Sequence, residues 1–171
     1  RAFMDDGAMK FLMEARKDGR IRHLGFSAHS VAAAMAAMDR FDFDSLLFPF
    51  NFASFIKEDF GPQVMKKAQE KGVARIALKA CIRERWTSNE ERRESKWGWV
   101  WYKPLTDPRE QELGLRFSLT QPLTAALPPM ADQLYLRAID IAMQYKPLDE
   151  AEKAEVAQLA TKMNPLFPRE G

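Results

Sequence analysis

Several residue types and patterns are scarce in this chain, and each shortage excludes a class of protein. One cysteine, Cys81, rules out an intrachain disulfide and hence a disulfide-stapled secreted scaffold. The two histidines stand in no His/Cys cluster with zinc-ligand spacing, so no metal site is expected. Every apolar run falls far short of the roughly 18 residues that cross a bilayer, so no membrane partner is expected.

The chain has little excess charge of either sign. Lys and Arg total 26 against 24 for Asp and Glu, a formal net charge of +2. A nucleic-acid-binding domain normally has a strongly basic face, so no nucleic-acid partner is expected. The sequence contains neither a GxGxxG nor a P-loop, and no signal-peptide pattern opens it. We therefore expect a cytoplasmic protein, although a chain that begins with Arg is also compatible with a removed leader.

The 171 residues suffice for one domain with a core, and their apolar spacing alternates between two periods. Helical spacing and end signals predict helices over 2–18, 31–40, 62–72, 108–120, 132–145 and 149–163. Short apolar runs predict strands over 21–26, 46–50, 73–78 and 124–127. Strands that alternate with helices favour an α/β fold with a parallel sheet of βαβ units.

The segment 81–107 has no clear period and is predicted to be a long Trp-rich loop. A loop of this length in a compact domain is usually functional or partly disordered. If the sheet is a barrel, the loop follows the carboxyl end of a strand, where barrel active sites are built. Its aromatic side chains either cover a substrate or pack the loop onto itself: Trp86, Trp97, Trp99, Trp101 and Tyr102.

Polar residues follow three of the predicted strands. Ser27 and His29, in GFSAHS, have a hydroxyl for a ligand amide and an imidazole for proton exchange, or they only begin a loop. Asn51, in PFNF, can bind a ligand or hold the backbone turn. Lys79, in ALKAC, can pair with phosphate or carboxylate, or extend to solvent from the rim.

Three residues just beyond Lys79 have similar alternatives. Arg83 and Arg85 can help to hold an anion, although exposed loop arginines are more often only solvated. Cys81 would be a nucleophile only if a histidine or a cation stabilised its thiolate. We expect it instead to be a small buried apolar residue.

Four strings, in order, resemble one known family. GRIRHLGFSAHS is similar to the fifth strand of aldo-keto reductases, and FDFDSLLFPFNF to the sixth. KKAQEKGVARIALKA is similar to the family's sixth helix and seventh strand, and LRFSLTQPLTAALPPM to its seventh helix and eighth strand. The resemblance covers nearly the whole chain. It implies the C-terminal half of a (β/α)8 barrel of the TIM-barrel type, with four parallel strands and outer helices.

The resemblance also implies an activity, which is hydride transfer between NADP, or NAD, and a small-molecule carbonyl substrate. Ser27 and the residue after it would hold the nicotinamide carboxamide, and Asn51 would line the same pocket. The loops after Lys79 and Leu127 would hold the pyrophosphate and the adenosine ribose. The cofactor-binding residues expected on this basis are Ser27, His29, Asn51, Lys79, Ala80, Leu127 and Met130.

Some positions depart from the family pattern. Ala28 stands where many members have Asn, and Leu47 where a Gln often contacts the nicotinamide amide. Pro129 and Met130 replace the usual Gly or Lys of the final phosphate loop. These departures leave the choice between NADP and NAD open.

The family's catalytic Asp, Tyr, Lys and His precede its fifth strand, and this chain begins after that point. His23 and His29 match none of them, so we predict no catalytic residue in the chain and no turnover by this segment alone. The alternative is a non-catalytic half-barrel module for binding or interaction. Its open strand edges and uncovered sheet face would favour self-association.

Overall fold

Helices and strands alternate along the described chain. The structure, a computed structural model, describes residues 3–4 and 7–168. Its elements in chain order are α1 (Ala8–Lys17), β1 (Gly25–Ser27), α2 (Val31–Arg40), β2 (Ser45–Pro49), α3 (Phe52–Glu58), α4 (Pro62–Glu70), β3 (Ala74–Leu78), β4 (Ile82–Glu84), α5 (Asn89–Glu94), β5 (Lys103–Pro104), α6 (Pro108–Leu119), β6 (Ala125–Ala126), α7 (Asp132–Met143) and α8 (Glu150–Thr161).

The main sheet has four parallel strands in the order β1-β2-β3-β6. The predicted α/β class and parallel sheet are therefore confirmed. Each strand pairs with the next one along the chain in this sheet, and helices fill the connections. All four carboxyl ends therefore meet at one edge of the sheet, where the loops after the strands gather.

One face of this sheet is covered by helices. Leu46, Phe48 and Ala77 are buried and belong to the same core cluster as Ala34 of α2 and Val64 of α4. Side chains of a strand alternate between the two faces, so the residues between these point to the opposite face.

The opposite face is only partly covered by the described residues: Pro49, which lies on it, is buried, whereas the row before it is not. One row across it pairs Ser27 with Leu47, Leu47 with Ile76, and Ile76 with Ala125. Ser27 and Ala125 are exposed, and Leu47 and Ile76 are half-buried. None of the four belongs to a hydrophobic core cluster. In a closed barrel this face would be the interior.

The helix ends follow the sequence signals closely. The Ser30 side chain accepts a hydrogen bond from the Ala33 N–H at 3.2 Å, and α2 spans the predicted 31–40. Asp149 and Glu152 form the capping box predicted for α8. Gly72 follows α4 with φ of +69°, a left-handed conformation that glycine adopts without steric cost.

Two predicted boundaries near the N-terminus differ from the structure. The helix predicted from residue 2 begins at Ala8, and residue 2 itself lies outside the described residues. The strand predicted over 21–26 is confined to Gly25–Ser27. The Ile21 N–H turns back to the Ala15 carbonyl, and the Leu24 N–H donates to the Asp44 carboxylate at 2.7 Å. These bonds keep the residues before Gly25 out of the sheet.

Four further elements were not predicted from the sequence. Sequence spacing did not predict α3, which begins directly after β2 because the Asn51 side chain caps it. The segment 81–107 is not a plain loop, since it contains the antiparallel pair β4–β5 and the short helix α5. The strand predicted over 124–127 is also shorter, with only Ala125 and Ala126 in β6.

A second core lies among the helices α3, α6, α7 and α8. It contains Phe52, Leu113, Ala138 and Val156, all buried. No described helix has the length and apolar character needed to span a bilayer. Within residues 3–4 and 7–168, no group of three or more His, Cys, Asp or Glu side chains is arranged to hold a metal ion.

Candidate functional site

Two of the predicted site residues meet at the carboxyl edge of the sheet. His29 lies in the loop after β1, and Lys79 follows β3. The Lys79 Nζ and the His29 Nε2 are 2.9 Å apart, a hydrogen bond between residues 50 positions apart in sequence. Lys79 has φ of +65°, a conformation that non-glycine residues rarely adopt. This backbone geometry directs the strand end into a sharp turn.

The charges of this pair follow from its surroundings. Burial lowers the pKa of Lys79, and burial together with the Lys79 charge lowers the pKa of His29. His29 is therefore the neutral partner at neutral pH, and its Nε2 accepts a hydrogen bond from the Lys79 ammonium. No described carboxylate lies within ion-pair distance of Lys79. Among residues 3–4 and 7–168, the ammonium thus has no counter-ion.

Two aromatic rings border the Lys79 ammonium. Its Nζ lies 5.3 Å from the centroid of the Trp101 ring and 5.6 Å from that of Phe167, within the range of cation–π attraction. An open cavity of about 420 Å³ adjoins this cluster. Its lining includes His29, Phe60, Arg85, Trp101 and Phe167.

The segment after α8 lies across this edge of the sheet. The Arg85 Nε donates to the Leu166 carbonyl at 3.1 Å, and the Asn164 N–H donates to the Glu84 carboxylate at 3.1 Å. The Phe167 ring stacks on the Phe60 ring at a centroid distance of 5.2 Å. The C-terminal segment thus forms part of the wall of the cavity.

The Asn51 side chain caps α3 and also has a hydrogen-bond donor without a partner among the described residues. Its Oδ1 accepts a hydrogen bond from the Ser54 N–H at 3.0 Å, which caps α3. Its Nδ2 is buried and has no hydrogen-bond partner among the described residues. A buried donor without a partner is costly, so this atom is a place where a ligand oxygen would be stabilising.

The other predicted residues are spread along the same edge. Ser27 is exposed at the end of β1. Ala80 is buried in the second core cluster. Leu127 and Met130 are 40% and 69% exposed in the loop after β6. Ser27, Asn51, Leu127 and Met130 therefore follow strand ends without making the direct contact that joins His29 to Lys79.

Cys81 is fully buried, and burial raises the pKa of its thiol to about 12. The thiol is therefore protonated at neutral pH and is not a nucleophile. The small buried residue expected from the sequence is what the structure contains.

The aromatic residues of 81–107 divide into two groups. Tyr102 is buried in a small cluster with Val100, and the Trp86 Nε1 donates to the Val100 carbonyl at 2.9 Å. Trp99 and Trp101 remain 57% and 51% exposed. Tyr102 and Trp86 thus pack the segment on itself, whereas Trp101 borders a cavity.

The sequence reasoning missed two members of the site, Phe60 and Phe167. Phe60 follows α3, which was not predicted, and Phe167 follows the last helix. Neither stands beside a strand end in sequence, so only the fold brings them to His29 and Lys79. No pattern in the sequence distinguishes them from other phenylalanines.

Comparison with known proteins gives matches in structure only. No protein-family model matches the chain, and its sequence matches no curated protein. The holo form of an aldo-keto reductase from Bacillus halodurans has a TM-score of 0.57 and 18% identity, and the match covers 96% of this chain and 59% of that one. An aldose reductase from Giardia lamblia has a TM-score of 0.60 and 8% identity, covering 92% of this chain and 51% of that one.

A thermostable aldo-keto reductase solved with the inhibitor epalrestat matches with a TM-score of 0.53 and 16% identity, covering 88% of this chain and 53% of that one. The chain thus spans between half and two thirds of the length of these three proteins. At such low identity the likeness concerns the fold alone. The chain has the fold of part of an aldo-keto-reductase barrel.

Proposed function

We propose that this chain supplies the cofactor-binding part of an NAD(P)H-dependent oxidoreductase that acts on small carbonyl compounds. The observation that carries the proposal is the meeting of His29 and Lys79 at the carboxyl edge of a sheet with this fold. The cytoplasm is the compartment we propose, in keeping with a free, buried cysteine.

The residues present fit a nicotinamide dinucleotide. The Lys79 ammonium has no ion-pair partner among the described residues and can pair with a pyrophosphate oxygen. The exposed Ser27 hydroxyl can hold the nicotinamide carboxamide, and the unpartnered Asn51 Nδ2 offers a further donor at the same edge. When bound, the nicotinamide ring supplies or accepts a hydride.

The chain's own residues position the cofactor and exclude water. His29, as a neutral acceptor, orients the Lys79 ammonium. The Trp101 and Phe167 rings border the ammonium and limit its hydration, which strengthens its attraction for an anion. The proton donor of carbonyl reduction is not among the residues proposed here. We propose that it belongs to the part of the barrel that this chain does not supply.

Titration of the protein with NADPH, followed by calorimetry, tests this assignment. Replacing Lys79 with Gln should weaken binding about tenfold or more, because a charge-assisted hydrogen bond is lost. Lys66→Gln, which removes an exposed lysine of α4, is the matched control and should leave the affinity unchanged. Equal affinities for the Lys79→Gln and Lys66→Gln variants would contradict the assignment.

The same preparation should not oxidise NADPH in the presence of a generic aldehyde. The absorbance of NADPH at its long-wavelength band should stay constant. Turnover by the purified chain would show that a proton donor for the reaction lies within it.

A second candidate function is a non-catalytic module that associates with another copy of itself. The observation in its favour is the uncovered row of Ser27, Leu47, Ile76 and Ala125, which has open strand edges on both sides. An uncovered sheet face with two open edges favours association.

A further inference from the structure

A second cavity lies in the segment 81–107, between α5 and the turn that follows it. Its volume is about 450 Å³, and its lining includes the side chains of Arg92, Arg93, Lys96 and Trp99. No lining residue is shared with the cavity beside His29. The lining contains three cations and no carboxylate. The family resemblance and the proposed oxidoreductase role leave this cavity unexplained.

The three cations of this cavity have no ion-pair partner among the described side chains. In the part of the chain that the structure describes, no carboxylate lies within ion-pair distance of Arg92, Arg93 or Lys96. Glu91, on the same helix, is already engaged by Thr87 and Lys103. Three like charges around one concavity repel one another, so an anion bound between them would be stabilising.

The walls of the cavity are held by specific contacts. The Arg92 Nε donates to the Gly98 carbonyl at 2.7 Å, which leaves its terminal nitrogens available. The Gly98 N–H donates to the Ser95 carbonyl at 2.9 Å, and the Ser88 side chain caps α5. A Cβ atom at Gly98 would lie 1.8 Å from the Arg92 carbonyl oxygen, so only glycine permits this close approach.

Trp99 supplies the apolar part of the cavity. Its side chain is 57% exposed, although a tryptophan is among the most costly residues to leave in water. The neighbouring Trp97 ring already contacts a cation, since the Lys96 Nζ lies 4.7 Å from its centroid. An exposed indole that lines the same cavity as guanidinium groups provides a surface for a base beside charges for its phosphate.

We propose that this cavity binds a nucleoside monophosphate group, with the phosphate between Arg92, Arg93 and Lys96 and the base stacked on Trp99. A free nucleotide and the adenylate end of a dinucleotide share this chemistry. The site stands on residues that play no part in the contact between His29 and Lys79 and does not depend on the oxidoreductase proposal.

Adenosine 5′-monophosphate is the probe, followed by calorimetry and by quenching of tryptophan fluorescence. It should bind more tightly than adenosine, which lacks the phosphate, and than ribose 5-phosphate, which lacks the base. Arg93→Gln and Lys96→Gln should each weaken binding about tenfold. Trp99→Leu should weaken the binding of the nucleotide but not that of ribose 5-phosphate. Lys66→Gln, with circular dichroism to verify folding, is the control.

Three results would overturn the proposal. The first is the absence of binding at millimolar adenosine 5′-monophosphate. The second is binding that the folded Arg93→Gln, Lys96→Gln and Trp99→Leu variants retain in full. The third is loss of binding in Lys79→Gln but not in those variants, which would assign the nucleotide to the first cavity. Competition with NADPH identifies which ligand the cavity takes. If NADPH displaces adenosine 5′-monophosphate, and Trp99→Leu weakens this displacement, the ligand is the adenylate end of a dinucleotide. If both bind at the same time, the ligand is a free nucleotide.

Discussion

At the scale of single residues, burial decides which candidate side chains are chemically available. Lys79 and Cys81 are two positions apart, yet one ends in a contact with His29 beside a cavity and the other is enclosed in the core. Burial lowers the pKa of the lysine and raises that of the thiol, because it disfavours the charged form in each case. The lysine thus remains available to a ligand, and the cysteine does not.

Cys81 should therefore resist alkylation in the folded protein. A rise in pKa from the ordinary 9.0 to about 12 lowers the thiolate fraction about a thousandfold. A Met143→Cys variant carries an exposed thiol in the same molecule as an internal control, because Met143 is 82% exposed. Iodoacetamide followed by peptide mass spectrometry should label residue 143 and leave Cys81 unlabelled until urea is added. Similar labelling of both in the folded state would contradict the burial of Cys81.

At the scale of elements, a charged clamp joins α6 to α8. The Arg116 guanidinium, which is mostly buried, donates to the Glu152 carboxylate at 2.7 Å and to Glu112 at 2.7 Å. Glu152 also completes the capping box with Asp149. Hydrogen bonds from Arg116 and from the Asp149 N–H lower the pKa of Glu152 from 4.5 to about 2. The Glu152 carboxylate thus caps the start of α8 and also holds α8 to α6.

This clamp predicts a specific dependence of stability on pH. A carboxyl whose pKa is depressed by folding stabilises the folded state above its unfolded pKa, and loses that contribution as pH falls from about 4.5 toward 2. Glu152→Gln should be less stable than the parent chain at pH 7, and the difference should shrink by pH 3. The urea midpoints at the two pH values measure this change.

Glu150→Gln is the control for this experiment, because Glu150 lies in the same helix and its ion-pair partner among the described residues is the exposed Lys153. Its difference from the parent chain should be small at both pH values. If Glu152→Gln and the parent chain lost equal stability between pH 7 and pH 3, the clamp would not be the cause.

At the scale of the whole molecule, the feature with the widest consequence is the sheet face that the described helices leave largely uncovered. Two half-buried side chains, Leu47 and Ile76, lie at its centre, and β1 and β6 leave an unpaired edge on either side. In a closed barrel both edges would be paired and this face would be packed. A second half barrel placed here would bury the face and pair the edges.

The isolated chain should therefore associate. Size-exclusion chromatography with light scattering should give the mass of a dimer or a larger species. Leu47→Glu should shift it toward monomer, because a charge would be buried in the association. Ile56→Glu, at a 40% exposed position of α3, is the control and should leave the mass unchanged. A stable monomer of the parent chain at high concentration would contradict this prediction.

Much of the fold follows from short-range signals that the sequence displays. The Ser30 cap, the Asp149–Glu152 capping box and the glycine after α4 set helix ends near the predicted positions, because each acts within a few residues. The alternation of strands with helices was enough to predict a parallel sheet. Helix α3 was not predicted because an asparagine after a strand is compatible with a ligand contact, a turn or a helix cap, and only the structure shows that Asn51 is a cap.

The site itself depended on tertiary structure. The sequence alone suggested His29 and Lys79 because each follows an apolar strand, and only the family resemblance grouped them as cofactor-binding residues. Their contact, and the rings of Phe60 and Phe167 beside them, join segments that no sequence period connects. The cavity of Arg92, Arg93, Lys96 and Trp99 lies within one continuous segment, and its shape depends on how α5 and the following turn fold. Local sequence determines helix caps and strand periods because these need only neighbouring residues. The distances between side chains, and the burial that sets their charge, arise only when the sheet and its helices pack.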